Sequence, residues 1–551
     1  MATVLIAPLG DSPIVVTAMV EALERHPDGP RTGIDVVEVL YPTGQGSQAI
    51  NFGFDLIEEA LRERCQVRGH DLGFPDANTE ERCIEYLRAL DPVLQGHVHD
   101  EVYVSAAGGR KSMAALTAVA TQFHPQIRGL YHVLDKHERD PARRHFWTND
   151  ELLNESDGER RTKMLPPIAD LTLVELPFQP LAQAADLRRY LGRGTEDESF
   201  RVAIDDDGRA FFERVFGAHR SSERLELRFS SAAYERFRGL NANVAERFWN
   251  CFRSMMEPAV LKGKVHGEFR AHGRTYHFYK AGRTAERPFF YTEPNDIVGW
   301  PHRRVDRVVV AGLSIHTSDE RYDIEAEEWI RRGPFDDRCT PDDLPARPGI
   351  LLVPLGESPM IATQTYVLLR ERERIRIERV VLLYPGNDPP IRNGVRLIKE
   401  LFEDPKLGEV RGGDAVPVKE VPIEGMQDVD SREACKRFGR ALGGTIAQLQ
   451  ERYRDRPLHV SLSGGRKAMA ALTYFGAQQA GLSRVWHTTI SDPQFDKQVE
   501  DETTLDNLAG LKTTEKAARL FLQAYDASRR DKFTIFPVPV IPLNFTASRE
   551  P

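Results

Sequence analysis

The stretch VSAAGGRKSMAALTAVA, beginning at Val104, returns as VSLSGGRKAMAALTYFG, beginning at Val460. This pair decides the reading of the fold. Three further landmarks recur around it in the same order. VLIAPLGDSPIVVTAMVEAL from Val4 is matched by ILLVPLGESPMIATQTYVLL from Ile350. VVEVLYP, ending at Pro42, is matched by RVVLLYP, ending at Pro385. Tyr131-His132 is matched by Trp486-His487. Chance supplies one match of this length, but not four in register. A long period with unrelated sequence between the copies is a domain duplication rather than a solenoid.

Each copy has the pattern of an α/β module. Val4 to Ala7 is a short apolar run stopped by Pro8 and Gly10, and Ile14 to Leu23 has helical spacing. That is a buried strand, a tight turn and a helix, with Asp11 or Ser12 placed to cap the helix. Val36–Leu40 and Val380–Leu383 read as second parallel strands. Glu101–Ser105 and Leu458–Leu462 read as further strands, each feeding the Gly-Gly-Arg-Lys turn and an Ala/Met/Leu-rich helix. Strands alternating with helices imply a doubly wound parallel sheet, which binds ligands at the carboxyl ends of its strands. Both repeated turns lie there.

The Gly-Gly-Arg-Lys turn suits phosphate. Gly108-Gly109 and Gly464-Gly465 allow close backbone approach. The helix that follows offers unpaired amides and a partial positive charge to an anion. Arg110, Lys111, Arg466 and Lys467 add full charges, and Ser105, Ser461 and Ser463 can donate hydrogen bonds. A plain strand-to-helix turn with solvated basic residues would look the same in one copy; two near-identical copies weigh against it. His132 and His487 follow the next strands, where a histidine is more often structural than ligand-binding.

Composition agrees with a soluble, multi-domain chain. The 551 residues are too many for a single core, and 41% hydrophobic with 28% charged residues is ordinary for globular protein. A net charge of −9 argues against a broadly basic coat for duplex DNA, though not against a local basic patch. The five cysteines, at 65, 83, 251, 339 and 435, have no metal-ligand spacing and fit a reducing cytosol. No apolar run approaches the roughly 20 residues of a membrane span, and the first strand begins at once, with no signal peptide. These features point to a cytoplasmic protein without a membrane partner and without a metal or other resident cofactor.

The PLG(D/E)SP and (A/S)GGRK(A/S)MA turns, occurring together and twice, resemble the CARF domains of CRISPR-associated proteins. The resemblance covers roughly residues 1–180 and 348–545. It implies Rossmann-like sensors of cyclic oligoadenylate that act as dimers, with the ring lying across the two-fold axis. Here the two copies would form an intramolecular pseudo-dimer within a monomer. It also implies ligand contacts from Gly10, Asp11, Ser12, Gly109, Arg110 and Lys111, with Gly356, Glu357, Ser358, Gly465, Arg466 and Lys467. A quasi-symmetric ring such as cyclic tetra-adenylate would suit two half-sites as an allosteric activator.

The segment from about 222 to 330 belongs to neither copy. LELRFSSAAYERFRGL and NANVAERFWNCFRSMMEPAVL read as a strand and two helices, with Val244, Phe248, Cys251, Phe252 and Met255 as a core stripe. Three or four antiparallel strands follow, ending in RVVVAGLSIHTSDERYD, with a long loop expected from Glu293 to Arg304. The order resembles the RelE superfamily of ribosome-dependent mRNA interferases, an α+β fold. The long loop departs from that family and leaves the register of the middle strands open. The resemblance implies catalytic roles for His277 or Lys280, for Arg287, and for His316 with Arg321 and Tyr322.

The chemistry has its own argument. RNA cleavage without metal requires an activated 2′-hydroxyl, a neutralised phosphorane and a protonated leaving oxygen. His266, Arg270, His272, Arg274, His277, Lys280, Arg283 and Arg287 crowd two expected strands, and Tyr276 and Tyr279 offer faces for bases. A basic RNA-binding face without catalysis would have the same composition.

The expected organisation is therefore a sensor domain at 1–185, a connector at 186–221, a RelE-like ribonuclease at 222–330, a linker at 331–347 and a second sensor at 348–551. Its activity would be cleavage of mRNA, on the ribosome, in response to cyclic oligoadenylate. Three alternatives stand beside it: a ring nuclease cleaving its own ligand, a non-catalytic ligand-controlled regulator, and a metal-dependent nuclease. Arg214 and His219 fit the Arg-x4-His spacing of HEPN ribonucleases, but lack the long helical context of that domain. The closing FTIFPVPVIPLNF and the earlier TLVELPFQPL read as matching edge elements, with a docking segment as the alternative for the former.

Overall fold

The computed structural model describes the chain apart from residues 28, 44–47, 182–183, 194–201, 205, 218–225, 257–260, 262–263, 281–284, 300–302, 316–321, 336–347, 454–455, 491, 522–531 and 545–551. Contacts divide it into two compact units. One comprises Met1–Ala218, Leu351–Ile446 and His459–Leu543; the other comprises His219–Ile350, Ala447–Leu458 and Asn544–Pro551.

In the first unit, the first copy builds a six-stranded sheet from β1 (Thr3–Pro8), β2 (Val36–Tyr41), β3 (Gln66–Asp71), β4 (Glu101–Ser105), β5 (Ile127–Asp135) and β6 (Leu171–Glu175), in the order β3-β2-β1-β4-β5-β6. All neighbours run parallel except β6, which pairs antiparallel with β5. β1 is buried along its whole length, as expected for a parallel strand covered on both faces. The order reverses at β1, so the turns after β1 and β4 flank the crevice of a doubly wound sheet.

The stretch 186–221, expected as a connector, contains two helices, Ala184–Arg193 and Asp206–Phe216, and a short strand, β7 (Val202–Ala203). Phe211, Phe212, Val215 and Phe216 are buried. The second of these helices lies against Gly439 and Gly443, one turn apart on the helix Arg432–Arg452, where an added Cβ would fall 2.9 Å from the Val215 carbonyl oxygen and 2.4 Å from that of Phe216. The charged composition hid this apolar stripe. Asp206 and Asp207 sit in the first turn of the helix Asp206–Phe216, where carboxylates favour the dipole.

In the second unit, β8 (Glu226–Phe229), β9 (Val265–Ala271), β10 (Arg274–Tyr279), β11 (Glu286–Gly299) and β12 (Arg303–Ile315) form one sheet in the order β8-β12-β11-β10-β9. β8 is parallel to β12, and the remaining pairs are antiparallel. One face packs Phe229, Phe290 and Val310 against Phe237, Phe248 and Phe252 of the helices Ser231–Arg238 and Ala242–Met255. The other packs Tyr276, Phe278, Phe289 and Val309 against Tyr322, Ala326 and Trp329 of the helix Tyr322–Ile330. The loop expected from Glu293 to Arg304 is instead an extension of the hairpin: Glu293 pairs with Arg307 and Val298 with Arg304. Pro294 interrupted the strand pattern because it has no amide hydrogen to donate. It falls at a register shift, which lets the ladder continue past it.

The second copy, back in the first unit, repeats the topology of the first. β13 (Gly349–Pro354), β14 (Ile377–Pro385), β15 (Val418–Ile423) and β16 (Leu458–Val460) lie in the order β15-β14-β13-β16. A parallel bridge from Ser461 to Trp486 joins β17 (Arg484–Ile490), which pairs antiparallel with β18 (Phe533–Pro539). The closing FTIFPVP is therefore the edge strand corresponding to β6.

The helices that follow the Gly-Gly-Arg-Lys turns, Lys111–Thr121 and Lys467–Gln479, pack against each other, and each is buried from its second residue to its end. Met113, Leu116, Met469 and Leu472 supply burial worth about 1.5–3 kcal/mol each.

Candidate functional site

Within each copy the two repeated turns touch. A Cβ on Gly10 would lie 2.8 Å from the Gly109 Cα, and one on Gly356 2.8 Å from the Gly465 Cα. A Cβ on Gly108 would stand 1.5 Å from the Pro8 carbonyl oxygen, as would one on Gly464 from that of Pro354. Gly109 and Gly465 both have φ of +68°, a region open to glycine. The glycines thus serve turn-to-turn packing. The expected cap from Asp11 or Ser12 does not form: Pro13 occupies the N-cap of its helix, with no side-chain bond, and Ser12 Oγ is buried without a partner. The first turn is held instead by Asn149, whose backbone amide donates to the Asp11 carbonyl (2.6 Å) and whose Nδ2 donates to that of Gly10 (3.2 Å).

Across the contact between the copies, the basic residues exchange partners. Lys111 Nζ donates to the Ser463 carbonyl oxygen, and Lys467 Nζ donates to that of Ala107 at 2.5 Å. Ala107 and Ser463 are corresponding positions, so the two bonds are counterparts. Arg110 donates to Thr489 Oγ1 (2.8 Å) in the other copy and pairs with Asp76 (3.1 Å) in its own. Arg466 pairs with Glu138 in the other copy and with Asp428 (2.7 Å) in its own.

The two lysines at this seam are perturbed by burial and by neighbouring cations. Burial and the neighbouring Lys467 lower Lys111 to about 8; burial and Arg110 lower Lys467 to about 8. Burial opposes the charge on Arg466, but Asp428 and Glu138 outweigh it and raise its pKa. His132 and His487 are buried, with Nδ1 of each unpartnered. Burial, and then the lysine and arginine of the opposite copy, lower each to about 3, so both are neutral. Burial raises Asp496 to about 6, helped by Glu500 and Asp11 and opposed by Arg110 and Lys111.

The expected ligand-binding residues Gly10, Asp11, Ser12, Gly109, Arg110 and Lys111, and Gly356, Glu357, Ser358, Gly465, Arg466 and Lys467, therefore gather at the turns of one seam. Sequence reading missed Asp76 and Asp428. Each stands five residues beyond its third strand, in Gly73-Phe-Pro-Asp-Ala-Asn-Thr79 and Gly425-Met-Gln-Asp-Val-Asp-Ser431. Thr79 and Ser431 cap the helices that follow, through the amides of Arg82 (3.2 Å) and Ala434 (3.1 Å). This Gly-x-x-Asp-x-x-Ser/Thr repeat was a legible fifth landmark.

In the second unit, Arg287 and Tyr322 do meet. Arg287 is buried on β11 and its Nε donates to the Tyr322 hydroxyl (2.7 Å), while the His266 ring lies 4.3 Å from that of Tyr322. Lys280 directly follows β10, its amide bonded to the Lys264 carbonyl. His277, on β10, turns Nδ1 to the Gly267 carbonyl (2.7 Å) and its ring toward Phe290. His316 and Arg321 lie outside the described residues. Tyr276 and Tyr279 are buried in opposite faces of the sheet, so the expectation that they stack bases is corrected. Several of the other expected basic residues have protein partners: Arg270 pairs with Glu268, Arg274 with Glu293, and His272 with the Ile330 carbonyl. The buried Glu286 pairs with Arg247 (2.5 Å) and was not singled out from sequence.

Among the described residues, no group of three or more His, Cys, Asp or Glu is arranged to hold a metal ion, and no helix is long and apolar enough to cross a membrane.

Comparisons with known proteins bear mainly on the duplicated part. The model of the CRISPR-associated protein NE0113 family matches residues 12–204 and 358–549, segments that begin at the corresponding residues Ser12 and Ser358. No curated protein matches. Among solved structures, that of a type III CRISPR defence DNA nuclease activated by cyclic oligoadenylate is 13% identical over 88% of this chain and 65% of its own, with a TM-score of 0.34. Enterococcus italicus Csm6 bound to cyclic hexa-2′-fluoro-hexa-dAMP is 15% identical over 30% of this chain and 38% of its own, with a TM-score of 0.21. Can2 from Sulfobacillus thermosulfidooxidans in complex with cyclic tetra-adenylate is 12% identical over 25% of this chain and 31% of its own, with a TM-score of 0.17. The chain spans less than two thirds of each of these three proteins.

Proposed function

The chain belongs to the CRISPR-associated protein NE0113 family, and from that premise we propose that its two α/β modules are a fused pair of CARF sensors for a cyclic oligoadenylate. Residues 1–185 and 348–551 form the pseudo-dimer, and cyclic tetra-adenylate is the ring that matches two quasi-equivalent half-sites. The observation that carries this reading is the crossed pair of lysine bonds, Lys111 to Ser463 and Lys467 to Ala107. They bring two helix N-termini and four cations into one place, as a ring of phosphates requires. A bound phosphate would take the lysines from carbonyl oxygens and favour their charged form.

The segment 222–330 is the output, a RelE-like endoribonuclease that cuts mRNA on the ribosome without a metal. Arg287 and Tyr322 form its polar centre. The guanidinium neutralises charge on the phosphorane, and the phenol, held by Arg287 and with the His266 ring tilted against its own, orients and protonates the leaving oxygen. His277 and Lys280 serve substrate phosphate, with His316 and Arg321 beside Tyr322 in sequence. Labelled mRNA, free and ribosome-bound, would be incubated with the full chain and with or without cyclic tetra-adenylate. Ligand-dependent cutting that falls about a hundredfold or more in Tyr322→Phe supports the output; no cutting of either RNA refutes it.

A second reading is favoured by one observation: Lys111 and Lys467 titrate near 8, where a lysine exchanges protons at physiological pH. The same pair would then cleave the ring: one lysine in its neutral form takes the proton of a 2′-hydroxyl, which attacks its adjacent phosphorus to form a 2′,3′-cyclic phosphate, while the other, charged, protonates the leaving 5′-oxygen. Ligand turnover that survives Tyr322→Phe and is lost in Lys111→Ala distinguishes this ring-nuclease activity from the output.

A further inference from the structure

The two half-sites are not equally open. Arg110 reaches across the seam to a neutral hydroxyl, that of Thr489. Its counterpart Arg466 reaches across to a carboxylate, that of Glu138. Counting six residues on from His132 gives Glu138; counting six on from His487 gives Pro493, the first residue of the helix Pro493–Glu502. The second copy therefore has no acid at the equivalent position. Its helix carries Asp496 and Glu500 instead; both influence Lys111 electrostatically and Asp496 interacts with Arg110 as well, whereas Glu138 is hydrogen-bonded directly to Arg466.

Glu138 is not a casual surface pair. Its amide donates to the Asp135 carbonyl (3.3 Å), and the neighbouring Lys136 amide is tied to Asp170. Arg139, the next residue, crosses to the second copy as well. It pairs with Glu357 of the first turn and with Asp388 (2.8 Å), whose buried carboxylate caps the helix Pro389–Glu403. The loop is thus anchored on the second copy by one residue while the preceding one covers Arg466. A fixed carboxylate on a phosphate-binding guanidinium occupies the place of a ligand phosphate and supplies the same charge-assisted contact.

We propose that Glu138 is a built-in competitor for the anionic ligand, which closes the second half-site and makes the first the point of entry. The inference rests on the sensor reading above. A ring engages Arg110 and Lys111 first, and full engagement requires one of its phosphates to displace Glu138 from Arg466. Glu138 therefore sets the threshold concentration at which the sensor responds.

The test compares the full chain with Glu138→Gln, a half-exposed and nearly isosteric change, and with Thr489→Ala as the counterpart on the other side. Cyclic tetra-adenylate binding is measured by calorimetry, and inorganic phosphate binding by its effect on melting temperature. Glu138→Gln is expected to tighten both by about five- to tenfold, and Thr489→Ala to change either by less than about threefold. Unchanged or weaker binding of both probes by Glu138→Gln overturns the inference. If cyclic tetra-adenylate binds neither protein, the sensor reading fails on its own account. The phosphate titration then decides the role of Glu138 alone: tighter phosphate binding by the variant upholds it, and equal binding overturns it.

Discussion

The turns of the two copies repeat the same close contacts, whereas the segments beyond their fifth strands differ. Gly108 and Gly464 face the same carbonyl at the same distance, and Lys111 and Lys467 make counterpart bonds. Beyond β5 the first copy has the Glu138-Arg139 loop, while beyond β17 the second has a helix. The contrast extends into the cores. Glu38 on β2 is buried and bonded to His70 (2.6 Å) and His97 (2.9 Å); the same position on β14, counted from Pro42 and Pro385, is the buried Val381. The turn glycines and the lysine bonds of the two copies correspond, and what surrounds them differs.

Substitutions can break or sharpen that contrast. The largest effect is expected from Gly108→Ala and Gly464→Ala. Each puts a methyl group into a backbone carbonyl and costs about 3 kcal/mol or more, equally in the two copies, by denaturant unfolding. Unequal losses would show that the turns are less alike than their geometry.

Next comes Glu38→Gln, expected to cost about 2–3 kcal/mol at pH 7, with no analogue in the second copy. Burial alone would raise the Glu38 pKa, but hydrogen bonds from His70 and His97 outweigh it and the pKa lies below the ordinary value. The stability it contributes is thus present above its unfolded pKa and lost as pH falls through the folded one. The deficit of the variant should shrink over that acidic range.

Lys111→Met and Lys467→Met probe the symmetric part through pH. Folding lowers each lysine from 10.5 to about 8, so between those values the unfolded chain binds more protons. Stability from each lysine therefore rises with pH across that window, by about 1 kcal/mol after solvent screening. Either methionine variant should lose about half of the combined rise. Because His132 and His487 stay neutral down to about 3, they add nothing to it. The smallest effect is expected from Thr489→Ala, within about 0.5 kcal/mol by thermal unfolding, since Arg110 keeps Asp76.

Much of this fold was legible in the sequence because parallel strands buried on both faces read as apolar runs, and turns that need glycine announce themselves. The Gly-Gly-Arg-Lys motif located a tight strand-to-helix turn in both copies for that reason. The helix Asp206–Phe216 was missed because its apolar stripe is embedded in acids and arginines, and its docking surface, Gly439 and Gly443, lies more than two hundred residues away. The long β11–β12 hairpin was missed because Pro294 looks like a strand breaker and a register shift absorbs it. Glu138 carries no signal of its own; its role follows only from the folding of one copy against the other. Asp76 and Asp428 were detectable, since their spacing repeats, but a single acid in a polar loop draws no notice until its partner arginine is seen.

The central claim is that two modules make one site. Calorimetric titration of cyclic tetra-adenylate into the full chain tests it most directly, using the wild type, Lys111→Ala and Lys467→Ala. The account predicts one ring bound per chain, with affinity reduced by about tenfold to a hundredfold in either variant alone. Two rings per chain, with each variant abolishing only one of them, would contradict it.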